Sequence, residues 1–133
     1  MKKWLIFIVL GIIIVGGFLL ISNKGTDSDS DGELIEVDKV IVITGENFKF
    51  IIDGVDNPEI IVNEGDKIRI EFSSTSGFHD WVVDEFNVAT EKVRENDGVT
   101  IVEFVADQKG EFEYYCSVGA HREQGMFGRL VVV

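Results

Sequence analysis

The segment YYCSVGAHREQGMFG places Cys116, His121 and Met126 at the spacing C-x4-H-x4-M. The chain has one cysteine, two histidines and two methionines, and one of those methionines is Met1. The second histidine, His79, opens the run HDWVV directly after the loop SSTSGF. Apart from Met1, every soft or borderline donor side chain therefore lies in one loop or at the mouth of another. Taken singly, each has a bland explanation: a buried cysteine packs as a small hydrophobe, a methionine fills a gap, a loop histidine is solvated. Those explanations do not account for the clustering. A thiolate, two imidazoles and a weak thioether are the donors of a mononuclear type 1 copper site, a trigonal His2Cys set with a long axial methionine. Two other chemistries would use part of the set. A Cys-His nucleophile pair needs a third group to orient the base and donors for an oxyanion. It would leave one histidine and Met126 idle, and Cys116 has no glycine-rich or helix-start segment beside it. Zinc on Cys-His-His is weaker, because a structural zinc takes four strong ligands and thioether is a poor one.

The elements that must position these residues read as strands. From about residue 35 the chain runs VDKVIVIT, FKFII, EIIVN, KIRIEFSS, HDWVV, TIVEFVA, EFEYYC and FGRLVVV. Thr44-Gly45-Glu46, Asp53-Gly54, Asn57-Pro58, Glu64-Gly65-Asp66, Asn96-Asp97-Gly98 and Lys109-Gly110 lie between them as turn signals. Alternation is clear in Lys67–Phe72 and Glu111–Tyr114, which marks strands buried on one face. Seven or eight such strands within residues 35–133 predict an all-β domain, an antiparallel sandwich or small barrel. Asn87–Glu95 is the one stretch in it that reads as either helix or loop. A strand start at His79 and a strand end at Cys116 can share one pole of a sandwich, with His121 and Met126 in the loop that follows.

Lys2 and Lys3 precede WLIFIVLGIIIVGGFLLI, residues 4–21, which carry no charge. As a helix these 18 residues would span ~27 Å, close to the hydrocarbon thickness of a bilayer. A cleaved signal segment has a shorter apolar centre and a small-x-small site, and the run here ends in Leu-Leu-Ile-Ser-Asn. Residues 1–21 are thus expected to form a membrane anchor in preference to a signal segment, preceding the β domain as one transmembrane helix. The two lysines favour a cytoplasmic N-terminus and put the rest on the extracytoplasmic face, periplasmic or extracellular. Residues 22–34 form an acidic flexible linker with too little apolar surface to offset ordering entropy. Asp27, Asp29 and Asp31 resemble the start of a calcium loop, but the twelfth position is Asp38, not Glu, and the flanks are not helical.

The formal net charge is −12. No basic stripe is present, which argues against a nucleic-acid partner. Residues 22–38 alone hold six acidic residues and one lysine. Such an excess suits a basic partner surface as well as solubility.

Around these residues the sequence resembles the cupredoxins, the small blue copper proteins. The resemblance covers residues 38–133 and rests on Asn47-Phe48-Lys49-Phe50, Val62–Lys67, Gly77-Phe78-His79-Asp80-Trp81, Gly110–Cys116, and His121 with Gly125-Met126-Phe127-Gly128. It implies a Greek-key β-sandwich holding one copper ion, Cu(I)/Cu(II), on His79, Cys116, His121 and, axially, Met126. The dinuclear copper domain of cytochrome oxidase subunit II is similar too, but has a second cysteine four residues after the first, where this chain has Ala120. In many cupredoxins the residue after the first histidine is an asparagine that ties the ligand loops together; Asp80 here puts that tie in question. The function implied is a one-electron carrier, not an enzyme with its own substrate turnover. Its partners would be redox proteins (a cytochrome, oxidase or reductase), met as a monomer through the small and apolar residues Val118, Gly119, Ala120 and Phe127 around His121. The alternatives are a copper storage or delivery protein and a copper subunit of a larger oxidase.

Overall fold

The computed structural model describes residues 36–133; the expected membrane segment and acidic linker lie outside the described residues. Among the described residues no helix is long and apolar enough to cross a membrane.

Side-chain alternation decides which faces close on each other. Strand β1 (Lys39–Glu46) buries Ile41 and Ile43 and exposes Val40 and Val42. Strand β5 (Lys67–Ser74) buries Ile68, Ile70, Phe72 and Ser74, with Arg69 and Glu71 on its outer face. A strand alternates its side chains between two faces, so both present one apolar row to a common core. They lie in a five-stranded sheet of order β10-β5-β1-β2-β3, where β2 is Lys49–Ile52, β3 Val55–Asp56 and β10 Thr100–Val105.

The facing sheet has the order β4-β12-β11-β7-β8. Its members are β4 (Ile60–Val62), β7 (Val82–Val83), β8 (Val88–Ala89), β11 (Gly110–Tyr115) and β12 (Phe127–Val132). A two-stranded ribbon, β6 (Phe78–His79) with β9 (Val93–Arg94), completes the set. The core holds Trp81, Tyr114, Phe50 and Phe72 at full burial. Phe50 meets Tyr114 edge-on at 5.4 Å and Trp81 stacks on Tyr114 at 6.0 Å. Each such ring, fully buried, contributes about 1.5–3 kcal/mol over its exposed state.

All eight predicted runs contain strand residues, and four details differ from expectation. The described residues carry twelve strand segments, because β3, β8 and β9 are two-residue ladders and HDWVV is broken into β6 and β7. The sandwich is mixed: β1 runs parallel to β5 from Lys39↔Ile68 to Gly45↔Ser74, and β4 parallel to β12. Parallel neighbours arise because the chain crosses to the other sheet between them, a connection that leaves no mark in local periodicity. Asn87–Glu95 is not helical; it contains β8 and β9, and only a 3-10 turn at Asp84–Phe86 precedes it. Gly45 sits inside β1 and not in a turn, for a reason that belongs to the site.

Candidate metal centre

His79 lies in β6, paired with Val93 of β9, and is buried. Its ring is fixed by the loop before it. The Ser76 carbonyl accepts a hydrogen bond from His79 Nε2 at 2.8 Å, and a carbonyl can only accept, so the proton is on Nε2 and the Nδ1 lone pair is free. The same loop is closed by Ser74 Oγ donating to the Gly77 carbonyl at 2.8 Å. Two glycines make room for the imidazole. A Cβ on Gly45 would stand 3.1 Å from His79 Cβ and 2.9 Å from Phe72 Cζ; one on Gly77 would stand 2.8 Å from His79 Nε2. Burial, the largest influence, lowers the His79 pKa from 6.5; the Ser76 carbonyl opposes this, His121 lowers it further and Asp80 opposes again. Neutral imidazole is favoured, which is the form that binds a metal.

Cys116 follows β11 directly and is fully buried. Its backbone N–H donates to the Met126 carbonyl at 3.1 Å, and the Met126 N–H donates to the His121 carbonyl at 2.9 Å. These bonds clasp residues 116–126 into a ring, with His121 Nδ1 3.5 Å from Cys116 Sγ. Met126 is also fully buried. Burial, again the largest influence, pushes the Cys116 thiol up; the backbone N–H groups of Asp80 and Val118 donate to the sulfur and pull it back, and the Asp80 charge raises it. A raised thiol is the wrong direction for a nucleophile, which acts as thiolate. A cation that replaces the proton suits this site better, because two imidazole nitrogens already stand 3.8 and 3.5 Å from the sulfur.

His79 Nδ1, His121 Nδ1 and Cys116 Sγ converge, all within 4.8 Å. The edges of this triangle are 3.2 Å between the nitrogens and 3.8 and 3.5 Å from sulfur to His79 and His121. A point equidistant from three atoms so placed is about 2.0 Å from each, close to the ~2.0–2.1 Å and ~2.3 Å that a first-row ion keeps from imidazole nitrogen and thiolate. The residues present therefore fit one metal ion, and a mixed nitrogen and thiolate set of this kind fits copper.

Asp80 settles the question of the tie between the ligand loops. Its Oδ1 accepts from the Ser117 N–H at 2.7 Å and its Oδ2 from Ser117 Oγ at 2.5 Å, so an aspartate makes the tie between the ligand loops. Ser76 and Ser117 also serve the site without any mark in the sequence pattern, and Gly45 and Val118 serve it in ways other than the turn and the exposed patch expected of them. Their roles depend on backbone atoms and close approach, which residue type does not announce. The surface beside His121 is a cleft of about 250 Å3 lined by Phe48, Phe78, Gly77 and Val118 among others. Phe127, expected there, lines a different cleft with Arg129 and Glu111.

No family model and no curated protein matches the chain. Solved structures do. Rusticyanin from Thiobacillus ferrooxidans superposes with a TM-score of 0.59 at 22% identity, over 74% of this chain and 79% of that one. Auracyanin from Roseiflexus castenholzii gives 0.59 at 22%, over 72% and 97%. Auracyanin A from Chloroflexus aurantiacus, described as a "blue" copper protein, gives 0.58 at 23%, over 71% and 98%. The fold of residues 36–133 is therefore the cupredoxin fold.

Proposed function

We propose that this protein is a one-electron carrier built on a mononuclear type 1 copper centre, which His79, Cys116, His121 and Met126 would hold. The observation that carries the reading is the triangle of donor atoms with edges of 3.2, 3.5 and 3.8 Å, assembled from two separate loops. The structural likeness to rusticyanin and auracyanin supports it. Copper, when bound, supplies a single Cu(I)/Cu(II) couple. The chain's part is to hold the donors still and dry. His79 and Cys116 are buried, the Ser76 carbonyl fixes one ring, and the Asp80–Ser117 tie fixes the loops against each other. Ligands that are already placed need little rearrangement when charge changes, and a set of four protein donors leaves no position for a substrate. His121 is half-buried and is the edge through which electrons would pass to a redox protein partner.

Residues 1–21 would anchor this domain in a membrane and residues 22–34 would tether it on the extracytoplasmic face, as the lysine-flanked apolar run suggests. The acidic excess favours a partner with a basic docking surface, so electron transfer should slow as salt screens the encounter.

The test is to load the full chain in detergent with one equivalent of Cu(II) and record visible and EPR spectra, with Cys116→Ser alongside. An intense blue thiolate-to-copper band with narrow hyperfine splitting, lost in the variant, is expected. An ordinary tetragonal signal indifferent to the substitution would sink the assignment.

A further inference from the structure

The two imidazoles of the triangle are held differently. His79 has the Ser76 carbonyl on Nε2 and two glycines against its ring. His121 sits on the exposed loop with the Phe48 ring against it, centroids 4.9 Å apart and planes at 82°.

Phe48 reaches that place by an unusual backbone route. Glu46 pairs with Lys49, so Asn47 and Phe48 form a two-residue hairpin loop, and both have positive φ, 44° and 62°. Two consecutive positive φ values mark a type I′ turn, whose favoured sequence is Asn-Gly. A bulky residue there is a steric outlier. The next hairpin is an internal comparison. Ile52 pairs with Val55 across Asp53-Gly54, with φ 50° and 79°, the expected chemistry for the same turn. One sheet thus builds two such turns, and the one beside His121 puts phenylalanine where its neighbour puts glycine.

Core packing does not account for the choice, since Phe48 is 42% exposed. The ring's specific contact is His121, and with Val118 and Phe78 it walls the cleft beside that imidazole. We propose that Phe48 is a positioning residue for the metal centre: the β1–β2 turn carries it in a strained conformation so that its ring fixes His121, the ligand without a carbonyl anchor. The inference rests on the copper reading for its consequence, but not for its geometry.

The experiment compares Phe48→Gly, Phe48→Leu and Phe48→Tyr in the full chain. In metal-free protein, the His121 ring C–H resonances should lose their aromatic ring-current shift in the Gly and Leu variants and keep it in Tyr. The urea midpoint of Phe48→Gly should be equal to or above that of the unchanged protein, because the turn is relieved. With Cu(II) bound, release to a chelator should accelerate about tenfold or more in Gly and Leu, the scale on which supporting residues affect metal sites, and be rescued by Tyr. A Gly variant with a lowered midpoint would show that the turn is not strained; unchanged resonances or unchanged release would show that the ring does not fix His121. Either result overturns the proposal. If the chain holds no copper, the metal-free resonances and the midpoint still decide it, separately from the carrier reading.

Discussion

Asp80 and Ser117, the residues that follow His79 and Cys116, are joined twice, by Ser117 N–H to Oδ1 at 2.7 Å and by Ser117 Oγ to Oδ2 at 2.5 Å. The bonds cross 37 residues and fasten one ligand loop to the other. Removing the acceptors in Asp80→Ala strands the Ser117 N–H, and a bond to a charged group is worth about 1.5–3 kcal/mol, so a loss of about 2 kcal/mol is expected. Asparagine can accept from the N–H and donate to Oγ, so Asp80→Asn should stay within about 1 kcal/mol of the unchanged protein. It should also lower the Cys116 pKa, because the Asp80 charge opposes ionisation of the thiol. Urea denaturation and thiolate absorbance in metal-free protein measure the two effects. Equal instability of both variants would mean that the charge, not the pair of bonds, holds the loops.

Gly77 has φ +89° and its absent side chain would fall 2.8 Å from the His79 nitrogen that bonds Ser76. Gly54 has φ +79° and nothing within 4 Å of the same point. Gly54→Ala is therefore a control for backbone strain alone, expected to lose about 1–2 kcal/mol. Gly77→Ala should lose more and also weaken Cu(II) binding, since the imidazole must shift to admit the methyl group. Calorimetric melting and metal titration of the pair would separate strain from crowding; a Gly77→Ala protein that binds copper normally would remove the glycine from the site.

The strands were readable because burial on one face writes a period of two into residues such as Ile68, Ile70 and Phe72. The cluster of His79, Cys116 and His121 is legible because two of its members lie within six residues and all are of rare type in this chain. The parallel partnership of β1 with β5 was not, because the pairing is decided by where the intervening chain crosses. In the sequence Gly45 has the form of turn punctuation, yet its meaning is the His79 side chain 3.1 Å from where a Cβ would stand. In the sequence Asp80 is a departure, because identity at one position does not reveal that Ser117 offers two donors to a carboxylate.

Tyr114 is fully buried, donates from its hydroxyl to the Pro58 carbonyl at 2.5 Å, and has its pKa raised above 10 by burial. Above pH ~10 the unfolded chain ionises this phenol while the folded chain keeps its proton, so the folded state holds more protons and stability falls as pH rises. The slope from this one group is about 1.4 kcal/mol per pH unit. Tyr114→Phe should remove that alkaline loss while lowering stability near neutrality by about 1 kcal/mol through the missing hydrogen bond. Urea midpoints measured on both proteins from pH 8 upward test it: parallel profiles would show that Tyr114 does not govern the alkaline limb.

Asn57 links the first sheet to the ligand loop. Its Oδ1 accepts from the Phe50 N–H at 2.8 Å, its Nδ2 donates to the Gly125 carbonyl at 3.2 Å, and its φ is 44°. It therefore serves the fold through its side chain and through its tolerance of the left-handed region. Asn57→Gly removes both side-chain bonds and keeps the backbone at ease; Asn57→Ala removes the bonds and adds the left-handed penalty. The alanine variant should be the less stable of the two by about 1–2 kcal/mol. Both should release bound copper faster than the unchanged protein, because Gly125 precedes Met126 and closes the ring that carries Cys116 and His121. Release rates equal to that of the unchanged protein, in variants whose stability has fallen, would show that the clasp between Cys116 and Met126 holds the loop without help from the sheet.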